Sequence, residues 1–152
     1  MRRLVDRWRR RRVTSYQGQG LTEFALVLPV LMLVIGGIIQ FGIIFWGQNT
    51  LNQVVRDTGR WAATQIQCTD DVPVIATANA IASQSSLIGF TGSFPGGDVV
   101  VTWTGTPCPP GDNQDVAWVN VQIDHTVPIF FPFVPGNGQL TSAAQFRMEP
   151  EP

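Results

Sequence analysis

The sequence predicts an α+β protein in which one long apolar helix continues into a small domain with a second short helix and a three-stranded antiparallel sheet. Residues 24–46 carry no charge, an amphipathic pattern follows them, and the last third of the chain holds three strand-like stretches. We divide the chain into a basic leader (1–18), a long transmembrane and amphipathic helix (19–67) and a small α+β domain (68–152).

The apolar stretch is long enough to cross a bilayer. Fifteen of its 23 residues are Leu, Ile, Val or Phe, and Gln40 is the only strongly polar side chain. A helix of this length spans roughly 34 Å, compared with about 30 Å for the hydrocarbon core of a membrane. A buried helix of a water-soluble protein rarely stays this apolar for so long. We therefore predict that residues 24–46 enter a membrane, with Trp46 at the outer interface.

Charge is distributed unevenly around this stretch. Residues 1–18 hold seven Arg and one Asp, whereas residues 19–152 hold three Arg and ten acidic residues. An Arg-rich start also suits nucleic-acid binding, but its position directly before an apolar span follows the positive-inside rule. We expect a cytoplasmic N-terminus, an exported C-terminal domain and no nucleic-acid partner.

A cleaved secretory signal fits the N-terminus less well. The apolar part exceeds the 7–15 residues of a signal peptide, and no small-x-small cleavage site follows Trp46. An uncleaved anchor, or an anchor that is cut before the apolar segment, agrees better with the sequence.

The junction before the span carries a recognisable pattern: Gly18, four residues, then Glu23 and Phe24 at the start of the apolar helix. The run from Gly18 to Pro29 resembles the TadE-like pseudopilins, minor pilins of the tight-adherence (Tad, or Flp) pilus systems, which have a type IV prepilin-like N-terminus. The Arg60–Trp61 pair and the closing run 142–149 are similar to that family as well.

The resemblance implies a processing site at Gly18 and Gln19 for a prepilin peptidase, and assembly roles for Glu23 and Phe24. It also implies a bacterial inner membrane location, with sister pseudopilins, the major pilin, the assembly platform and membrane lipid as partners. Glu23 has two interpretations. It is either a helix-capping acid after an N-cap at Thr22, or the partner of the freed amino group of Gln19 in the same or a neighbouring subunit.

Beyond the span, the sequence predicts that the helix continues with one apolar face. Arg56 and Arg60 are like charges four residues apart. Either Asp57 or an acid of a partner faces them, or they belong to a solvated face of the helix, which we favour over a binding site. A second helix is predicted over residues 74–87. The apolar positions of the long helix are Leu51, Val54, Val55, Trp61, Ala62 and Ile66, and one face of the second helix holds Ile75, Ala78, Ala82 and Ser86.

Three strands are predicted over residues 98–104, 116–127 and 140–149, with the apolar face of their sheet on the amphipathic half of the long helix. In the second strand, Val119, Val121, Ile123 and Val127 share one face. Between the last two strands, the run 129–134 is unusually apolar for a loop. It either caps the core or contacts a neighbouring subunit or the membrane surface.

Cys68 and Cys108 lie on the side that we place outside the cytoplasm, where disulfides persist. We predict that they are bridged, which would stabilise the domain by about 3–4 kcal/mol. His125, the only histidine, has no metal-ligand spacing around it. Because no catalytic arrangement is visible either, we expect neither an enzyme nor a cofactor.

Two functions remain open from the sequence. The first is a TadE-like pseudopilin or minor pilin that helps to assemble a Tad-type pilus or secretion filament. The alternative is a stably anchored single-pass protein with an uncleaved N-terminus and an exported binding domain. Co-purification with pilin-like subunits favours the first, and an isolated monomer that retains residues 1–18 favours the second.

Overall fold

The computed structural model describes residues 15–65, 71–94, 97–105, 116–131 and 137–148. Its elements are α1 (Ser15–Ala63), α2 (Val72–Gln84), β1 (Val99–Thr104), β2 (Trp118–Thr126) and β3 (Gln139–Arg147). The predicted α+β class is confirmed, with one long apolar helix, one short helix and a three-stranded antiparallel sheet. The chain divides into two compact units, Met1–Ile39 and Gln40–Pro152.

Helix α1 is an uninterrupted helix of 49 residues. From Gln19 to Ile39 it has a surface of exposed apolar side chains. Its stretch from Gln19 to Ala63 is long and apolar enough to cross a membrane. The C-terminal part, after Gln40, changes character because one face turns towards the core of the second unit.

The sheet has the strand order β1-β2-β3 with β2 in the centre, and both pairs are antiparallel. Val121 lies opposite Val101 on one side and Ala144 on the other. The burial of β2 alternates residue by residue, so the predicted apolar face is confirmed, with His125 on the same face. Val127, directly after the strand, is also buried.

One apolar core joins the second half of α1, helix α2 and the sheet, as the sequence predicted. Helix α2 contributes Val74, Ala78 and Ala82 to it. The predicted position of Ser86 on this face is wrong, because α2 ends at Gln84 and Ser86 is exposed. The core side chains of α1 are Leu51, Val54, Val55, Ala62 and Ala63.

Strand β3 lies along α1 in the same direction. Gly47 is against the side chain of Leu140, and Gly59 is against the ring of Phe146. Gly59 is 12 positions after Gly47, which corresponds to a rise of about 18 Å in a helix. Phe146 is six positions after Leu140, which corresponds to about 20 Å in a strand. These matching lengths give β3 one end near Gly47 and the other near Gly59.

Candidate processing and assembly site

The predicted junction lies inside helix α1. The helix begins at Ser15, so the peptide bond between Gly18 and Gln19 has helical residues on both sides. The predicted helix start at Thr22 is therefore wrong for the full chain. The Thr22 hydroxyl donates a hydrogen bond back to the Gln19 carbonyl oxygen at 2.8 Å, and Glu23 lies beyond the first turn. Residues 1–14 of the predicted leader lie outside the described residues.

Glu23 has a local partner in this helix. The side-chain amide of Gln19 donates to Oε1 of Glu23 at 3.3 Å, across one turn. Both side chains are exposed, and so is Phe24, at 59%. The structure thus brings together Gln19 and Glu23, two of the residues that the sequence singled out, through the Gln19 side chain.

Gln40 is fully buried although it lies in the apolar stretch. Its amide nitrogen donates to the carbonyl oxygen of Pro128 at 3.1 Å, and its amide oxygen accepts from the N–H of Phe130 at 2.8 Å. Both ends of the amide are used, which offsets the cost of burying it. Gln40 thereby holds the chain that leaves the central strand.

Two further polar side chains of α1 bind strand β3. The Gln48 amide donates to the carbonyl oxygen of Thr141 at 3.1 Å. The Ser142 hydroxyl donates to Oδ1 of Asn52 at 2.6 Å. Because each contact joins a helix position to a strand position, together they fix the register of the helix on the sheet.

An open groove lies on the outer side of α1, where the helix passes the end of α2. Gly42, Phe45, Trp46 and Asn49 line it, and Ser86 closes one side. A Cβ added at Gly42 would meet no atom within 4 Å, so this part of the helix surface is open.

Arg56 and Arg60 are both exposed on α1. Within the described part of the chain, no ion pair joins either guanidinium to Asp57. Asp57 is therefore not the ion-pair partner of these arginines, and pairing with an acid of another protein remains a prediction.

His125 has a structural role. Its Nε2 lies 2.9 Å from the carbonyl oxygen of Ile88, which can only accept, so Nε2 carries the proton in this contact. The rings of Phe90 and Phe94 lie close to the imidazole. Among the described residues, no group of three His, Cys, Asp or Glu side chains could hold a metal ion.

Ser83 of α2 and Ser85, directly after its end, likewise bond to the carbonyl oxygens of that helix. The hydroxyls of Ser83 and Ser85 donate to the carbonyl oxygens of Ala80 and Ala82. Cys68 and Cys108 lie outside the described residues, so their predicted bridge stays a prediction.

With this geometry in view, the chain was compared with known proteins. Residues 18–60 match the family model described as TadE-like protein. The predicted resemblance is confirmed over that stretch. It covers the junction, the whole apolar span and the amphipathic part of α1 up to Arg60. Comparison with curated proteins and with solved structures gave no significant match.

Sequence reasoning missed the contacts of Gln40, Asn52 and Gly59. A signal existed for Gln40, because a single strongly polar side chain in an apolar span needs a partner. The partner itself lies 88 and 90 residues away along the chain, so no local pattern could identify it. The same holds for Gly59, whose neighbour Phe146 belongs to the last strand.

Proposed function

We propose that this chain is a membrane-anchored, pilin-like subunit that takes part in assembling a Tad-type pilus or secretion filament. The observation that carries the proposal is the TadE-like match over residues 18–60, which includes the Gly18–Glu23 spacing and an apolar helix long enough to cross a membrane. Its work is the packing of protein against protein, without catalysis.

Processing would occur between Gly18 and Gln19, by a prepilin peptidase. The bond lies in a helix, so the first turns must open before a protease can reach it. Glycine in a helix is less favourable than alanine by about 1 kcal/mol, and this end of α1 holds both Gly18 and Gly20. Opening this end is therefore inexpensive compared with opening the apolar helix that follows.

Cleavage would create a free amino group at Gln19. In the full chain the side chain of Gln19 already reaches Glu23 across one turn. A charged amine on the same or a neighbouring subunit would give the exposed carboxylate a stronger, charge-assisted partner. Because an unpaired carboxylate at a membrane boundary is unfavourable, the pairing would fix the axial position of one helix beside the next.

The partners that fit this role are other subunits with similar helices, namely sister pseudopilins and the major pilin, and the inner-membrane assembly platform. The exposed apolar side chains of α1 between Leu21 and Ile39 are a surface that such helices could cover. The Arg-rich start would stay in the cytoplasm, and the α+β unit would be exported.

A second function is favoured by one observation. Helix α1 runs without a break through residues 15–23, as a stable uncleaved anchor would. In that case the chain is a single-pass membrane protein whose exported unit binds another molecule, and no filament is involved.

The intact mass and the N-terminal residue of the protein from its native membrane separate the two functions. A chain that starts at Gln19 supports processing and assembly. A chain that starts at Met1 lacks the amine that Glu23 is proposed to meet, and the anchored protein then becomes the better description.

Glu23→Gln tests the assembly role. This change removes the charge and keeps the size, so membrane insertion should persist while co-purification with pilin-like subunits is lost. Asp57→Asn is the matched control, because Asp57 is an exposed acid of the same helix beyond the apolar span. Equal co-purification of Glu23→Gln and the unaltered protein would contradict the register role.

A further inference from the structure

The short segment after β2 is fixed to the apolar stretch of α1. We call residues 128–131 the apolar loop. Its backbone accepts one hydrogen bond from the Gln40 side chain, at Pro128, and donates one to it, at Phe130. These hydrogen bonds are 3.1 and 2.8 Å long, so a displacement of the loop along the helix would break them.

This contact sets the depth of the loop. Gln40 precedes Trp46 by six residues, or about 9 Å of helix. Side chains of a helix tilt towards its N-terminus, so the Gln40 amide lies no nearer to Trp46 than its own Cα does. If Trp46 is at the outer membrane interface, the apolar loop lies on the lipid side of that interface.

The chemistry of the loop suits such a position. None of residues 126–131 is charged, and Phe130 is 66% exposed, so the predicted capping of the core does not apply to Phe130. In the same apolar stretch of α1, Phe41 and Phe45 are exposed as well, the latter at 73%. Pro128 has no N–H, and its carbonyl oxygen and the N–H of Phe130 are satisfied by Gln40, which removes two polar groups that lipid could not hydrogen-bond.

We propose that the apolar loop is a membrane-inserted wedge, with Phe130 among the acyl chains of the outward-facing leaflet beside the span. This inference rests on the membrane placement in the proposed function. The loop is held at Gln40, inside the uncharged stretch 24–46, and the side chain that it exposes there is a phenylalanine, which is why lipid is the occupant that fits it. The depth of about 9 Å corresponds to the boundary between headgroups and acyl chains, where apolar side chains of peripheral segments insert.

The wedge gives the exported unit a second attachment to the membrane. With the loop inserted, the end of the sheet that carries Leu140 is held at the membrane and the end that carries Phe146 points away from it.

The test uses the full-length chain in vesicles of phosphatidylethanolamine and phosphatidylglycerol. A phenylalanine that bears a diazirine replaces Phe130, Phe45 or Trp118 in three separate proteins. On illumination the diazirine inserts into whatever surrounds it, and mass spectrometry distinguishes a lipid adduct, a protein crosslink and the alcohol formed with water. Trp118 is the matched control, because it is an exposed aromatic residue at the other end of the sheet, opposite Arg147.

We expect lipid adducts at position 130 to be as abundant as at position 45, and nearly absent at position 118. Lipid adducts at 45 together with alcohol or protein crosslinks at 130 would overturn the wedge and leave the membrane placement of the span intact. Crosslinks from 130 to a second copy of the chain would identify the loop as a contact between subunits. Absence of lipid adducts at both 45 and 130 would overturn the membrane placement and the wedge together.

Discussion

At the scale of single residues, Gln40 shows how one polar side chain can be accommodated in an apolar span. Its amide has a donor and an acceptor end, and the backbone of Pro128 and Phe130 supplies the complement to each. A buried polar group without partners would be unfavourable, whereas both ends of this amide are hydrogen-bonded. The same two bonds fix a loop that lies outside the paired strands of the sheet.

Gln40→Leu should loosen the apolar loop. The substitution removes both hydrogen bonds from the part-buried carbonyl oxygen of Pro128 and N–H of Phe130, at about 2 kcal/mol in total. Amide exchange at Phe130 should therefore accelerate by on the order of 30-fold, measured by hydrogen–deuterium exchange in lipid nanodiscs. Gln53→Leu is the control, because Gln53 is exposed on the same helix. Unchanged exchange at Phe130 would mean that the two hydrogen bonds do not hold the loop.

Thr58 is the opposite case. It is fully buried in α1, and its hydroxyl has no hydrogen-bond partner in the described part of the chain. The methyl group of the side chain contributes to the core, but the hydroxyl carries an uncompensated cost of desolvation.

Thr58→Val should raise the free energy of unfolding by about 1 kcal/mol, because it replaces the hydroxyl by a methyl group of similar size. Thr58→Ser, which keeps the hydroxyl and removes the methyl, should lower it. Chemical denaturation in detergent, followed by tryptophan fluorescence, measures both. A loss of stability in Thr58→Val would indicate that the hydroxyl is bonded in the assembled protein.

At the scale of elements, two glycines let α1 approach β3 closely. An added Cβ at Gly47 would lie 2.9 Å from the Leu140 side chain, and one at Gly59 would overlap the Phe146 ring. Glycine is less favourable than alanine inside a helix. These two positions therefore lower the local stability of α1 but allow the strand to pack closely against it.

Gly59→Ala should destabilise the second unit by about 1–3 kcal/mol, because the overlap with Phe146 outweighs the gain in helix propensity. Gly42→Ala is the matched control, since nothing lies within 4 Å of a Cβ there. Thermal unfolding measures both variants. Adding Phe146→Leu to Gly59→Ala should recover part of the loss, and equal stability of Gly59→Ala and Gly42→Ala would rule out the close approach.

The extent of α2 illustrates a limit of periodicity. The apolar spacing extended the predicted helix to residue 87, but the helix ends at Gln84, where the Ser85 N–H bonds to the carbonyl oxygens of Ile81 and Ala82. Leu87 is still buried, in the turn that follows. A buried residue just beyond a helix continues its pattern without being helical, and only the tertiary contacts distinguish the two cases.

At the scale of the whole molecule, a bridge between Cys68 and Cys108 would link the segment after α1 to the segment after β1. The indole N–H of Trp103 donates to the Asp71 carboxylate at 3.2 Å. Asp71 is three residues after Cys68, and Trp103 is five residues before Cys108. Cys68 and Cys108 themselves lie outside the described residues, so their bridge stays a prediction.

The bridge should contribute about 3–4 kcal/mol to stability. Cys68→Ser, Cys108→Ser and the double variant should therefore lose the same amount, because removing either sulfur removes the whole bond. Denaturation of the three variants measures the loss, and alkylation of the unreduced protein counts free thiols. Additive losses, or two alkylated thiols in protein from its native membrane, would contradict the bridge.

The sequence by itself determined the class of fold and the order of its elements, because these follow from local patterns: an uncharged run, a helical period and alternating strands. It also indicated the family, through the spacing of Gly18 and Glu23. The tertiary structure alone decided that Gln40 holds the apolar loop, that Gly59 receives Phe146 and that Phe130 is exposed. The contacts of Gln40 and Gly59 join residues about 90 positions apart. Which residues meet depends on how the sheet packs on the helix, and no local sequence pattern encodes that packing.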